Sequence, residues 1–153
     1  MKIFKLDKKG IYEYQQNREP YLMIDNATEV IPGVSAKGYK DFEIDEWFFK
    51  VHWKNDPNVP GMLQIEALVQ MAALSILCLP GNKGKITHAL SHEVRFRKEV
   101  LPGKKFILKT KVESWKRGIC KGFGEGIVDG EIACEATMTI TIPEILEQYL
   151  PKK

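Results

Sequence analysis

Two side chains that could exchange protons, His52 and Glu66, lie fourteen residues apart in the chain. His52 precedes a loop rich in proline, and Glu66 lies in the long apolar segment that follows. Burial disfavours the charged form of a carboxyl group, so a buried Glu66 is expected to hold a proton. A neutral imidazole could then act as a base and the carboxyl as an acid. Elimination of water β to a carbonyl requires this pair of groups.

Two neighbouring residues could assist this chemistry. Gly61 would begin a helix, where unpaired N–H groups and the helix dipole favour binding of a substrate carbonyl oxygen. Gln70 follows Glu66 by four residues and therefore shares its helix face. His52 and Glu66 also have ordinary interpretations. A histidine in a loop usually faces solvent or caps a helix, and a glutamate in an apolar helix usually pairs with a distant arginine.

The element that must position Glu66 is a helix that is apolar on all sides. Its apolar residues extend from Met62 to Leu79, Pro60 suits its first turn, and Leu79-Pro80-Gly81-Asn82 ends it. Such a helix is typical of a protein core. The segment is about long enough to cross a membrane, but its two polar residues favour a core helix, so no membrane partner is expected.

The remaining chain has the alternating pattern of antiparallel strands. A short helix around residues 11–16 and strands over residues 21–31 and 34–42 precede the apolar helix, with a turn at Pro32-Gly33. Later strands are separated by turns at Pro102-Gly103, Lys116–Gly118 and Asp129-Gly130. A sheet of this kind must curl around the single helix. The prediction is one α+β domain over residues 1–153.

Composition excludes several classes of protein. The net charge of +3 is small and spread along the chain, which argues against a dedicated nucleic-acid binder. Three cysteines without C-x-x-C spacing suggest neither a disulfide framework nor a zinc site. This cysteine pattern predicts a reducing cytoplasm as the location, and no secretory signal is expected at the N-terminus. His88 and His92, four residues apart on one side of a predicted strand, are too far apart for easy chelation of a metal.

The stretch from Asp45 to Gln70 resembles the FabZ-type β-hydroxyacyl-[acyl carrier protein] dehydratases. The family pattern is roughly N-E-P-F-F-x-G-H-F-P-x-x-P-x-M-P-G-V-L-x-x-E-A-x-A-Q, and this chain reads D-E-W-F-F-K-V-H-W-K-N-D-P-N-V-P-G-M-L-Q-I-E-A-L-V-Q. R-E-P-Y-L-M-I-D, starting at Arg18, is similar to the family's R-x-P-F-L-L-V-D. V-R-F-R-K-E-V-L-P-G, starting at Val94, is similar to R-F-R-R-P-V-x-P-G. The resemblance covers about residues 18–140.

This resemblance implies the hotdog fold, in which a curved antiparallel sheet wraps around one long central helix. It implies that His52 is the base and that Glu66 is the acid that protonates the leaving hydroxyl. Gln70 would hold the Glu66 carboxyl, and the Gly61 N–H would bind the thioester oxygen. Glutamate at the acid position fits the FabZ type rather than the FabA dehydratase–isomerases. No cofactor and no metal are implied.

The implied reaction converts a 3-hydroxyacyl thioester on an acyl carrier protein to the trans-2-enoyl thioester and water. It would serve fatty-acid or related acyl or polyketide biosynthesis. The family draws the histidine and glutamate of one site from different subunits, so a homodimer is expected, and members often form trimers of dimers. The acyl chain would lie in an apolar tunnel at the dimer interface. An acidic carrier protein would meet basic side chains, for which the candidates are Arg95, Arg97, Lys116, Arg117 and Lys121.

Departures from the family pattern concern the substrate pocket, which is expected to include Val51, Trp53, Phe49 and Phe96. Val51 stands in place of glycine, and Trp53 and Lys54 in place of Phe-Pro. Val51 and Trp53 are bulkier than the family residues and predict an altered loop or a narrower pocket, so the length and shape of the acyl substrate stay open.

Two alternatives stay open at this point. A hotdog thioesterase would use its carboxylate to activate water and would not need His52. A non-catalytic acyl- or carrier-binding protein would be expected to lack His52 or Glu66.

Overall fold

The computed structural model describes residues 2–153, which form seven strands and a long helix with several short helical segments. In chain order the elements are β1 (Phe4–Leu6), α1 (Lys8–Tyr14), β2 (Asn26–Ile31), β3 (Ser35–Asp41), a 3-10 helix (Trp47–Lys50), α2 (Gly61–Leu77), β4 (His88–Phe96), β5 (Lys105–Lys116), β6 (Ile119–Val128), β7 (Glu131–Thr141), α3 (Pro143–Leu146) and a second 3-10 helix (Glu147–Tyr149). The strands make one antiparallel sheet in the order β1-β2-β3-β5-β6-β7-β4.

Helix α2 occupies the core, as its uniformly apolar sequence predicts. Leu68, Met71 and Leu74 are completely buried. Pro60 is the residue before the first helical turn rather than part of it. The helix ends two residues before the predicted Leu79, and Asn82 Nδ2 donates a 2.9 Å hydrogen bond to the Ile76 carbonyl oxygen there.

Small residues let the sheet approach α2 closely. A Cβ atom at Gly124 of β6 would lie 3.1 Å from Leu68 Cδ2, so the helix occupies the space beside this glycine. At Gly38 of β3, a Cβ atom would lie 2.7 Å from Met71 Cε and 2.9 Å from Ala27 Cα. At these two glycines the backbone of the sheet therefore packs directly against side chains of α2.

Two-residue turns connect the consecutive strands β5, β6 and β7. Arg117 and Gly118 have φ angles of 51° and 82°, and Asp129 and Gly130 have 51° and 76°. Two successive positive φ angles are typical of the type I′ turn, whose twist matches that of the flanking strands. The predicted turns at these two positions are confirmed.

The segment before β2 differs from its prediction. The strand begins at Asn26 rather than Tyr21 because the chain over residues 22–24 binds to α2, and the Met23 N–H donates a 2.7 Å hydrogen bond to Gln70 Oε1. The short helix predicted around residues 11–16 lies instead at Lys8–Tyr14. It begins there because the Asp7 side chain accepts a hydrogen bond from the Gly10 N–H.

Strand β4 forms one edge of the sheet and is mostly exposed. Its pairing with β7 shifts between Ala89 and Ser91, which marks an irregularity at Leu90. A shift of one residue exchanges the two faces of a strand. The expectation that His88 and His92 share a side is therefore wrong, because the shift places them on opposite faces of the sheet.

The architecture is α+β, with the curved antiparallel sheet around a central helix that the resemblance implied. Among residues 2–153, no helix combines the length and the apolar character needed to span a bilayer.

Candidate active site

The loop that carries His52 is anchored by aromatic packing on one side. Phe48 and Phe49 are buried, and their ring centroids are 4.7 Å apart. The His52 N–H donates a 2.9 Å hydrogen bond to the Phe48 carbonyl oxygen. Phe49 is thus a core residue that holds the loop. The sequence predicts it for the substrate pocket, but it does not line the cavity beside His52.

The His52 ring has one nitrogen available for proton transfer. Nδ1 lies 3.3 Å from the carbonyl oxygen of Asn58. When Nδ1 carries the ring proton it can donate to this oxygen, which leaves the lone pair of Nε2 free. The imidazole is partly exposed. This arrangement suits a base that accepts a proton from a bound molecule.

An open cavity of ≈ 740 Å³ lies beside His52 at the start of α2. Its lining includes His52, Gly61, Met62, Gln64, Phe96 and Arg97. Pro60 provides no side-chain cap, and among residues 2–153 the Gly61 N–H has no backbone partner. The cavity thus brings an imidazole and a free helix N-terminus together.

Phe96 packs directly on the start of α2. A Cβ atom added to Gly61 would lie 2.6 Å from Phe96 Cζ, so only glycine lets the ring rest against the helix backbone here. Phe96 itself is 48% exposed. Gly61 therefore shapes this wall of the cavity as well as offering its N–H group.

Glu66 lies one turn further along α2 and is held by Gln70. Gln70 Nε2 donates hydrogen bonds to Glu66 Oε1 at 2.8 Å and to the Tyr21 carbonyl oxygen at 2.9 Å. Its Oε1 atom accepts from the Met23 N–H, which fixes the orientation of the amide. Glu66 is only partly buried, in contrast to the buried carboxyl that the sequence predicts.

One protomer does not bring His52 and Glu66 into one cavity. Glu66 is absent from the lining of the cavity that contains His52. Val51 and Trp53, predicted for the substrate pocket, also lie outside this lining and are 72% and 60% exposed.

The five predicted basic residues do not form one patch on a single protomer. Arg97 lies at the cavity and its Nε donates to Glu135 Oε1 at 2.9 Å. Arg95 lies opposite Glu135 in the register of β4 and β7. Lys116 and Arg117 lie at the β5–β6 turn, near the other end of β7, and Lys121 is on β6 between these positions.

Sequence reasoning missed three residues near the site. Lys98 lies at the cavity rim beside Arg97 and pairs with Glu131 at 2.6 Å. Gln64 is buried, and its Nε2 donates to the Val59 carbonyl oxygen at 3.1 Å. The charge of Glu66 raises the pKa of the Tyr21 phenol, and so does the partial burial of the phenol. The only signal for Tyr21 was its position in the R-E-P-Y-L-M-I-D motif.

Comparisons with known proteins find relatives over most of the chain. The model of the FabA-like domain matches residues 16–137. A 3-hydroxyacyl-[acyl-carrier-protein] dehydratase FabZ of Bacillus licheniformis is 38% identical, over 91% of this chain and 97% of that protein. The FabZ of Roseiflexus castenholzii is 41% identical over 82% of this chain and 89% of the relative.

A solved structure supports the fold at lower sequence identity. The dehydratase heterocomplex ApeI:P from Xenorhabdus doucetiae superposes with a TM-score of 0.75 at 14% identity, covering 93% of this chain and 97% of that chain. From the matched family model and these relatives, we conclude that the chain belongs to the FabA-like family, within the FabZ-type dehydratases of the hotdog fold.

Proposed function

We propose that this protein dehydrates a 3-hydroxyacyl thioester carried by an acyl carrier protein, giving the trans-2-enoyl thioester and water, in fatty-acid or related acyl-chain biosynthesis. The observation that carries the proposal is the match to a 3-hydroxyacyl-[acyl-carrier-protein] dehydratase FabZ over nearly the full length of both chains. The acid and base types at His52 and Glu66 are those that the reaction requires.

His52 takes the proton from the α-carbon through the free Nε2, because Nδ1 faces the Asn58 carbonyl oxygen. The unpartnered N–H at Gly61 binds the thioester oxygen, on which negative charge develops as that proton leaves. Glu66 gives its proton to the departing hydroxyl. Gln70 Nε2 donates a hydrogen bond to Glu66 Oε1, and this bond fixes the direction of the carboxyl group.

A homodimer completes the site in this proposal. The open edge strand β4 and the loop near His52 expose a group of apolar side chains. The group consists of Val51, Trp53, Met62, Ile86, Leu90 and Phe96. Apolar area concentrated along an unpaired strand favours pairing with an identical strand of a second copy, which would bring Glu66 of one subunit towards His52 of the other.

Arg97 and Lys98 at the cavity rim would meet the acidic carrier protein, and the pocket behind them would receive the acyl chain. Both side chains form ion pairs with glutamates of β7, Arg97 with Glu135 and Lys98 with Glu131. An acidic partner would have to compete with these two carboxylates.

One assay separates dehydration from other activities. Purified protein is incubated with a 3-hydroxyacyl carrier thioester, and the products are separated by chromatography with mass detection. Enoyl thioester formation is the expected result. Free acid without enoyl product would show a thioesterase instead, and binding without turnover would show a non-catalytic acyl or carrier binder.

A further inference from the structure

The face of the sheet that points away from α2, here called the outer face, carries a row of charged side chains. The row takes one residue from each of β2, β3, β5, β6, β7 and β4, and its members lie opposite one another in the strand register. In that order this charged row consists of Glu29, Lys37, Lys109, Glu125, Glu135 and Arg95. Gly38 and Gly124, which follow Lys37 and precede Glu125 in their strands, face α2. Since side chains alternate along a strand, the charged row faces outward.

The order of charges in this row makes it complementary to itself. Across the sheet the signs are negative, positive, positive, negative, negative and positive. The same row taken in reverse has the opposite sign at every position. A second copy turned by half a turn about an axis parallel to the strands, between β5 and β6, would therefore present an opposite charge to each member. Lys109 would face Glu125 of the second copy, and Lys37 would face its Glu135.

Within one protomer the charged row contains unfavourable neighbours. Lys37 lies opposite Lys109, and Glu125 lies opposite Glu135. Like charges directly opposite each other destabilise a sheet. The ion pairs of the row join Lys37 to Glu29 at 3.7 Å and Glu135 to Arg97, and none within residues 2–153 involves Lys109 or Glu125. A second copy would give these two central side chains an opposite charge.

An apolar row runs beside the charged row on the outer face. Tyr39, Ile107, Ile127 and Ile132 lie opposite one another on β3, β5, β6 and β7, and all are at least partly exposed. The solvated face of an antiparallel sheet is usually polar, so this apolar row is unusual. Under the same half turn, Ile107 would face Ile127 of the second copy. Burial of the apolar row would supply affinity, and the charged row would fix the register.

Two shallow depressions of similar size flank Phe123 on the outer face. One, of ≈ 350 Å³, has three lysines in its lining, and the other, of ≈ 360 Å³, has two glutamates. The lysines are Lys37, Lys109 and Lys111, and the glutamates are Glu93 and Glu135; Glu125 also lines the first depression and Arg95 the second. The half turn would place the lysine side of one copy over the glutamate side of the other.

We propose that the outer face of the sheet binds a second copy of this chain in a two-fold contact that pairs the charged row with itself. This surface is distinct from the β4 edge that the proposed homodimer uses, so the two contacts together would join homodimers into a larger assembly. The sheet curves around α2, which makes the outer face convex and brings the two copies closest at β5 and β6. The contact does not depend on the proposed dehydration.

Charge reversal at the centre of the contact tests this proposal. Lys109→Glu and Glu125→Lys each place like charges across the axis twice, and each should raise the dissociation constant of the assembly by about tenfold or more. The variant with both substitutions restores opposite charges and should assemble like wild type. Lys9→Glu and Glu147→Lys, exposed and outside the sheet, are the matched controls. Light scattering over a range of concentrations measures assembly, and circular dichroism verifies that each variant is folded.

Chemical crosslinking locates the contact directly. Lys109 and Glu125 are also opposite each other within one chain, so charge reversal alone changes the protomer as well. Lys109→Cys and Glu125→Cys proteins are therefore mixed and treated with a short bismaleimide. A covalent product with one chain of each kind is expected, because two sheets packed face to face lie about 10 Å apart. The native cysteines are buried. A mixture of Lys9→Cys and Glu147→Cys is the control and should give only background.

Several results would overturn the proposal. These are wild-type protein that never exceeds the mass of two chains, single variants that assemble like wild type, a folded double variant that does not reassemble, and absence of the mixed crosslink. If Lys109→Glu weakens binding of an acidic carrier protein while the assembled mass is unchanged, the lysines serve the carrier instead. Enoyl product from Lys109→Glu reports on the dehydration separately, because Lys109 does not line the cavity beside His52.

Discussion

Gln70 shows how one side chain can organise a site. Its amide makes three hydrogen bonds, to the Met23 N–H, the Tyr21 carbonyl oxygen and the Glu66 carboxyl. Gln64, also buried on α2, makes one, and its Oε1 has no partner in the described residues. The two glutamines are thus equally buried, but they differ in how many of their polar atoms are hydrogen-bonded.

This difference predicts unequal effects on stability. Gln70→Met should lower the free energy of unfolding by about 2–4 kcal/mol, because it leaves a buried N–H and a carbonyl unpaired. Gln64→Met should change it by less than about 1 kcal/mol, since it also removes an unpaired buried oxygen. Urea unfolding followed by circular dichroism measures both. Equal losses would contradict the account of Gln70.

His52 and Glu66 are expected to be indispensable for turnover. His52→Ala and Glu66→Gln should each reduce kcat by about 10²–10⁴-fold, the usual contribution of a general base or acid. His88→Ala and Glu113→Gln, which change exposed strand residues, are the controls. Product formation is followed by chromatography and assembly by light scattering. Near-normal rates in either site variant would refute its role.

At the level of elements, the fit of the sheet around α2 depends on Gly38. A methyl group there would press on the backbone of β2 at Ala27 and on Met71 of the helix. Backbone atoms in a paired strand cannot move aside as the end of a flexible side chain can. Gly38 therefore sets the distance between β3 and α2.

Gly38→Ala is predicted to cost about 3 kcal/mol of unfolding free energy through overpacking. Gly10→Ala in α1 is the control, because the nearest neighbours of its methyl group are side-chain atoms of Leu6 and Asp7 rather than the backbone of a paired strand, and alanine gains helix propensity. Denaturant midpoints of both variants provide the comparison. A Gly38→Ala midpoint equal to that of wild type would show that β2 can shift.

Elements with strong local patterns were predictable, and long-range contacts were not. The apolar run from Met62 and the Asp129-Gly130 turn specify their structures locally. The shift at Leu90 has no local signal, and it overturned the placement of His88. The hydrogen bond from Gln70 to the Tyr21 carbonyl oxygen joins distant parts of the chain, so no spacing rule could reveal it.

At the scale of the whole molecule, a site shared between subunits predicts complementation. In a mixed dimer of His52→Ala and Glu66→Gln subunits, one of the two sites would retain both groups. Random exchange of subunits should restore about one quarter of wild-type activity from two inactive proteins. Differently tagged subunits confirm the exchange. No recovery in verified mixed dimers would show that each site is built within one subunit.

The three cysteines report on the integrity of the whole core. Burial raises the pKa of the Cys78 thiol to about 12 and of the Cys120 and Cys134 thiols to about 11. Unfolded thiols release protons at lower pH, so stability should fall as pH rises above about 8.5. Alkylation at pH 8 should therefore follow unfolding. Rapid labelling of the native protein would contradict the burial of these thiols.

The order of elements along the chain has a consequence for synthesis. Helix α2 leaves the ribosome before strands β4 to β7, and β7 is complete only roughly 60 residues later, on the order of 3–12 s at ordinary elongation rates. During that interval the helix has no strands β5 to β7 to cover it. While it is uncovered, this apolar segment is prone to aggregate or to bind chaperones. The tight type I′ turns shorten this interval, because they let β5, β6 and β7 pair as they emerge.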